Sequence, residues 1–128
     1  MQKIVVAEDD KLISHSLCDA LKAEGYEAAA AFDGEEAVEK IAEIMPDLVL
    51  LDIMMPKLDG ISVLRQIKAN PSTARISVVV LTNIGDVETI SKIVEAGGAD
   101  YLLKSDQSVD DIIQKVKDVL ARNVNFPN

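Results

Sequence analysis

The sequence predicts an α/β fold in one domain: five strand–helix units forming a parallel sheet with helices on both faces. Three observations carry this. Short β-branched runs alternate with amphipathic stretches of helical period along the chain. Two of the runs, "DLVLLDI" and "ISVVVLT", are apolar at consecutive positions, as strands covered on both faces must be. The 128 residues are 48% hydrophobic, enough for one core, and with aromatics at 3% that core must be aliphatic.

The elements follow in order. "KIVVA" reads as the first strand. "KLISHSLCDALKAEG" is a helix with Leu12, Ile13, Leu17, Ala20 and Leu21 on one face and Gly25 as its stop. "YEAAAAF" is assigned as a strand because Asp33-Gly34 punctuates it and a helix must begin soon after. "GEEAVEKIAEI" is that helix, with Asp33 as N-cap and Glu36 three residues on, as in a capping box. "DLVLLDI" is the third strand. "ISVLRQIKA" is a helix with Ile61, Leu64 and Ile67 on one face, ended by Asn70-Pro71. "ISVVVLT" is the fourth strand. "DVETISKIVEAGG" is a helix capped by Asp86 and stopped at Gly97-Gly98. "DYLLK" is the fifth strand. "SVDDIIQKVKDVLAR" closes the domain, with Ile112, Ile113, Val116, Val119 and Leu120 as its apolar stripe and Ser108 and Asp111 spaced as a capping box. The domain is expected to span residues 1–122, with 123–128 as a tail.

Composition excludes several classes of function. With 13 basic against 22 acidic residues, a formal charge of −9, and no basic block, the chain is unsuited to direct nucleic-acid contact or to an anionic membrane surface. The single cysteine, Cys18, allows no intrachain disulfide and argues against a cysteine-based metal site. The four-residue apolar run in "MQKIVVAEDD" is too short for a signal peptide, and no stretch approaches the roughly 18 apolar residues of a membrane span. A soluble cytoplasmic protein is expected.

In a parallel α/β sheet, functional groups gather beyond the carboxyl ends of the strands. The first strand ends in Glu8, Asp9 and Asp10, the third at Asp52, the fourth at Thr82 and the fifth at Lys104. If those strands lie side by side, the groups face one another. Taken singly, each has an ordinary role. Asp9 and Asp10 suit helix caps, Asp52 a turn, Thr82 a strand and Lys104 a solvated strand end. His15 reads as a surface or half-buried histidine, and Met54 and Met55 as packing residues. It is the joint pattern that outweighs these readings. Clustered carboxylates cannot all stay ionised without a counter-charge. Lys104 supplies one, and an all-oxygen site suits Mg²⁺. That environment fits phosphoryl transfer, with Asp52 as a nucleophile that would form an aspartyl phosphate.

At these residues the sequence resembles the response-regulator receiver domains of two-component signalling. The motifs are "VVAEDD", "DLVLLDIMMPKLDG", "VVVLTN" and "GGADYLLK", and the resemblance runs from Lys3 to Arg122. It implies a flavodoxin-like doubly wound sheet of order 2-1-3-4-5 flanked by five helices. Asp52 would be the phosphorylated aspartate. Asp9 would bind Mg²⁺ directly, Glu8 through water, and Met54 through its backbone carbonyl, with Asp52 completing the metal set. Lys104 would pair with the phosphoryl group and Thr82 would hydrogen-bond it. Tyr101 would be the switch aromatic, turning into space that Thr82 vacates and altering the face of the fourth helix, fifth strand and fifth helix. The implied partners are a sensor histidine kinase or histidine phosphotransfer protein upstream and a protein target or output domain downstream, with a monomer or a phosphorylation-dependent dimer. Its only catalysis would be its own phosphorylation and dephosphorylation.

The sequence departs from the family pattern at Ser105 and is apolar at two further positions of consequence. The family's usual Pro after the lysine is Ser105 here. A cis bond before a non-proline costs about 3 kcal/mol, so Lys104–Ser105 is expected to be trans or strained. The positions two after Asp52 and Thr82, which influence access of hydrolytic water in this family, are Met54 and Ile84. Two apolar side chains imply a long-lived phosphorylated state. Three rival readings are weaker. A receiver-like binding module that takes no phosphate would have lost acids that are intact here. A haloacid-dehalogenase-like phosphohydrolase would want an Asp where Met54 stands. Flavin binding would want a hydroxyl- and Gly-rich loop where "AEDDKL" stands.

Overall fold

The computed structural model describes residues 1–83, 87–97 and 100–124. Five strands, β1 (Lys3–Ala7), β2 (Glu27–Ala31), β3 (Leu48–Asp52), β4 (Ser77–Thr82) and β5 (Asp100–Leu103), alternate with five helices. These are α1 (Lys11–Ala23), α2 (Gly34–Ile44), α3 (Gly60–Ala69), α4 (Val87–Glu95) and α5 (Val109–Val124), with a 3₁₀ turn over Lys104–Asp106. All strand pairs are parallel and the order is β2-β1-β3-β4-β5, as the resemblance implies.

Strand alternation divides the core in two. Val5, Ala7, Val49, Leu51, Val78 and Val80 face a layer built from α2, α3 and α4. Ile4, Val6, Leu48, Leu50, Val79 and Leu81 face α1 and α5. Every residue of β3 is buried, which is why its sequence shows no polar alternation. The stripe expected on α5 is buried at all five positions. No helix among the described residues is long and apolar enough to cross a membrane.

Local signals set most helix ends. Asp10 caps α1 by accepting the N–H groups of Leu12 and Ile13. Gly25, at φ 94, ends it: its N–H donates to the Lys22 carbonyl and the Tyr26 N–H to that of Leu21, the paired bonds of a Schellman turn. Ser108 and Asp111 exchange side chain-to-backbone bonds in a complete capping box. At α2, Asp33 accepts from the Glu36 N–H as expected, but the Glu36 carboxylate takes the N–H of Phe32, one residue before the cap. Asp59 caps α3. The expected cap Asp86, together with Ile84, Gly98 and residues 125–128 of the tail, lies outside the described residues.

One assignment on α1 is overturned. Leu12 is 78% exposed, and the buried stripe is Ser14, Leu17, Cys18 and Leu21, spaced three, four and seven. Leu12 lies two residues before Ser14, on the far side of the helix. Leu17→Ala should therefore destabilise the protein by about 2–5 kcal/mol, and Leu12→Ala by no more than about 0.5 kcal/mol. Urea unfolding of the two variants measures the difference, and equal losses would contradict this packing.

Candidate functional site

The sheet register brings the strand ends together. Ala7 pairs with Leu51, so the next residues, Glu8 and Asp52, are neighbours. Thr82 pairs with Leu103, so Lys104 emerges one residue beyond. Glu8 and Asp52 have the parity of Ile4, Val6, Leu48 and Leu50, and Lys104 that of Leu102, all of which face the α1–α5 layer. The three side chains consequently converge from three strands. The Lys104 ammonium donates to Glu8 Oε1 and lies 3.3 Å from Asp52 Oδ2.

The backbone completes the arrangement. The second oxygen of Glu8 accepts the Asp10 N–H at 3.1 Å. Because Asp10 also caps α1, the start of that helix and the Glu8 carboxylate are fixed together. Asp52 Oδ1 accepts the Met54 N–H at 3.2 Å, which ties the acid to the loop after β3. Gly60 N–H donates to the Ile53 carbonyl at 2.9 Å, and a Cβ on Gly60 would stand 2.4 Å from the Asp52 carbonyl oxygen. The Asp-Gly pair at 59–60 thus lets α3 start directly against the backbone of Asp52.

Burial dominates the electrostatics. Glu8 is 1% exposed and Asp52 5%. Burial pushes the Glu8 carboxyl from its usual 4.5 up to about 7, against the pull of its hydrogen bonds from Lys104 and the Asp10 amide; the neighbouring Asp52 charge adds to the rise. For Lys104 burial acts downward, but the Glu8 hydrogen bond and the two carboxylate charges outweigh it and hold the ammonium above its ordinary range. One cation therefore serves two buried acids, and the site is left short of positive charge.

Oxygens of Glu8, Asp9 and Asp52 lie within 4.8 Å of one another. Such a set of hard oxygen donors fits Mg²⁺, which takes one or two carboxylates and keeps several waters. Asp9 is exposed and supplies the open side of the group. Thr82 is fully buried at the end of β4, beside the strand that delivers Lys104. Tyr101 lies on β5 opposite Val80, 39% exposed. His15 is on the surface, 3.1 Å from Asp19. Met55 is a packing residue, but Met54 is not: its side chain is 62% exposed, because its backbone is turned toward Asp52. No peptide bond among the described residues is cis, so Lys104–Ser105 is trans, as expected for a non-proline. A contact that sequence reasoning missed is that of Gly34, whose Cα abuts Leu58 in the loop after β3. An Asp-Gly pair opening a helix signals a cap and carries no signal of a distant contact.

The family model of the response regulator receiver domain matches residues 4–117. The chain is 32% identical over 127 residues to the DNA-binding dual master transcriptional regulator RpaA of Synechocystis, covering 99% of this chain and 52% of that protein. It is 33% identical over 126 residues to the DNA-binding response regulator MtrA of Mycolicibacterium smegmatis, covering 98% of this chain and 54% of that protein. The chain thus spans about half the length of these relatives. Among solved structures, the receiver domain of the Francisella response regulator 1452 matches with a TM-score of 0.86 and 32% identity, covering 96% of this chain and 99% of that one. The parallel sheet, the acids and lysine at its carboxyl edge and these matches lead to one conclusion: the chain belongs to the response-regulator receiver domains of two-component signalling.

Proposed function

We propose that this chain is a phosphoacceptor switch and that Asp52 accepts the phosphoryl group from a phosphohistidine. The observation that supports this best is the trio of Glu8, Asp52 and Lys104: a buried carboxylate at a sheet edge, held by an ammonium beside a second acid. Glu8, Asp9, Asp52 and the Met54 carbonyl would hold Mg²⁺. Bound there, the metal would neutralise the acids and shield the incoming phosphoryl charge.

The residues of the chain do the rest. A carboxylate oxygen of Asp52 attacks phosphorus while the P–N bond of the donor breaks, its electron pair staying on the imidazole nitrogen. The Met54 amide orients the Asp52 carboxylate for this attack. Lys104, already poised between Glu8 and Asp52, follows the negative charge onto the phosphoryl oxygens. Thr82 donates its hydroxyl to the new dianion. That movement opens space for the Tyr101 ring, and the face of α4, β5 and α5 changes with it.

The donor is a sensor histidine kinase or a histidine phosphotransfer protein, in the cytoplasm. The readout is a protein target or an output domain, reached as a monomer or through a phosphorylation-dependent dimer. The names of RpaA and MtrA describe DNA-binding proteins about twice as long as this chain. No DNA contact is proposed for the acidic domain itself.

Three outcomes are expected. Incubated with acetyl phosphate, the protein should gain one phosphoryl group by intact mass only when Mg²⁺ is present, and Asp52→Asn should gain none; equal labelling of the variant would contradict the assignment. The Glu8 carboxyl, raised to about 7, must lose its proton before metal binds, so Mg²⁺ affinity measured by calorimetry should fall about tenfold per pH unit below about 7 and level off above it. A flat profile from pH 5.5 to 7.5 would count against Glu8 in the metal set. With the apolar Met54 at the mouth of the site, and Ile84 two residues after Thr82, the phosphorylated form should persist for many minutes or longer in Mg²⁺ buffer, and loss within seconds would refute that expectation.

A further inference from the structure

The loop between β3 and α3 is held from the side by the first turn of α2. Gly34 is the first residue of that helix, after its cap Asp33, and it is buried. A Cβ on Gly34 would stand 1.8 Å from the Leu58 carbonyl oxygen, 2.6 Å from its carbonyl carbon and 2.5 Å from its Cβ. Two of those atoms are backbone, so no rotamer change relieves the clash. Its φ is not in the left-handed region, so the glycine is required for space and not for backbone freedom.

Further contacts join the same two segments. The Pro56 carbonyl accepts both the Gly34 N–H at 3.3 Å and the Leu58 N–H at 2.8 Å. Asp33 Oδ2 lies 3.5 Å from the Lys57 ammonium, and Lys57 stands at φ 70, where the chain reverses against the helix. At the far end of the loop, Gly60 packs on the Asp52 carbonyl. The loop is therefore seated at two glycines on different helices. Met54, whose amide holds Asp52 Oδ1, precedes the segment that rests on Gly34.

We propose that Gly34 is a positioning residue for the site at Asp52. Its missing side chain lets the loop after β3 rest on α2, and that seat fixes the Met54 main chain against the Asp52 carboxylate. The role in phosphoryl transfer rests on the reading of Asp52 as the acceptor, but the seat itself is a matter of geometry and is tested separately.

The test uses the full chain labelled with ¹⁵N, first without metal. In Gly34→Ala the Met54 amide should shift and lose its protection from hydrogen exchange, while amides in the middle of β1 and β4 keep theirs. Mg²⁺ affinity should drop about tenfold, as is typical when a residue that orients a metal ligand is changed. Labelling by acetyl phosphate should slow with it. Leu58→Gly takes the one side-chain atom out of that contact and loosens the loop backbone that forms the rest of it, and it carries the test if Gly34→Ala does not fold. A folded Gly34→Ala protein, or Leu58→Gly in its place, with an unchanged Met54 amide and Mg²⁺ affinity within twofold of wild type would overturn the proposal. If the wild-type chain itself takes no phosphoryl group, the acceptor reading falls, and the Met54 amide still decides whether the seat exists.

Discussion

The structure depends on one contact, that of the Lys104 ammonium with two buried carboxylates. Glu8, just past the end of β1, and Asp52, the last residue of β3, sit side by side with almost no exposure to water. An isolated charge in such a place costs several kcal/mol, and two like charges cost more. Lys104 satisfies both acids but balances only one. The shortage appears as a Glu8 carboxyl raised to about 7 and an ammonium held firmly charged. A site short of one or two positive charges is one that a divalent cation completes. On the proposed reading the same imbalance would make it responsive, because a phosphoryl group on Asp52 would offer the lysine new oxygens.

The fold exists around that contact. A parallel sheet ends all of its strands at one edge, and side-chain alternation sends Glu8, Asp52 and Lys104 to the same side of it. The apolar remainder of each strand buries the sheet between two helical layers, which keeps the acids from retreating into solvent. Around the rim, short polar devices fix the backbone: Asp10 between Glu8 and α1, Met54 on Asp52, Asp59 at the start of α3. Glycine does the same by absence at Gly60 and Gly34, where a methyl group would collide with neighbouring backbone. Stability and chemistry are not separate layers here, since the groups that end the helices also orient the acids.

Much of this was legible in the residues. Consecutive apolar positions in β3 and β4 revealed strands covered on both faces, and the strand ends alone produced the list of Glu8, Asp9, Asp10, Asp52, Thr82 and Lys104, of which Asp10 is the cap of α1. The strand order came from family resemblance, because nothing local in a βα unit says on which side of the first strand the third will lie. Where the local reading failed, the cause is physical. Leu12 looked like part of an apolar face because the true stripe opens on Ser14, a polar residue that hydropathy does not mark. Met54 looked like packing, but a backbone turned to serve Asp52 sends its side chain outward. The contact of Gly34 with Leu58 joins segments 24 positions apart and leaves no pattern in the sequence.

The proposed switch turns on Asp52, and neither of the neighbouring acids, forming the acyl phosphate. The most direct measurement is to phosphorylate the protein with acetyl phosphate and Mg²⁺, reduce it with borohydride, and map the product by peptide mass. Borohydride converts an aspartyl phosphate to homoserine, so homoserine is expected at position 52 with unchanged acids at Glu8 and Asp9. Homoserine at position 9, or reduction of Glu8, would contradict it, because the ammonium and the Met54 amide would then be serving an acid that is not the acceptor.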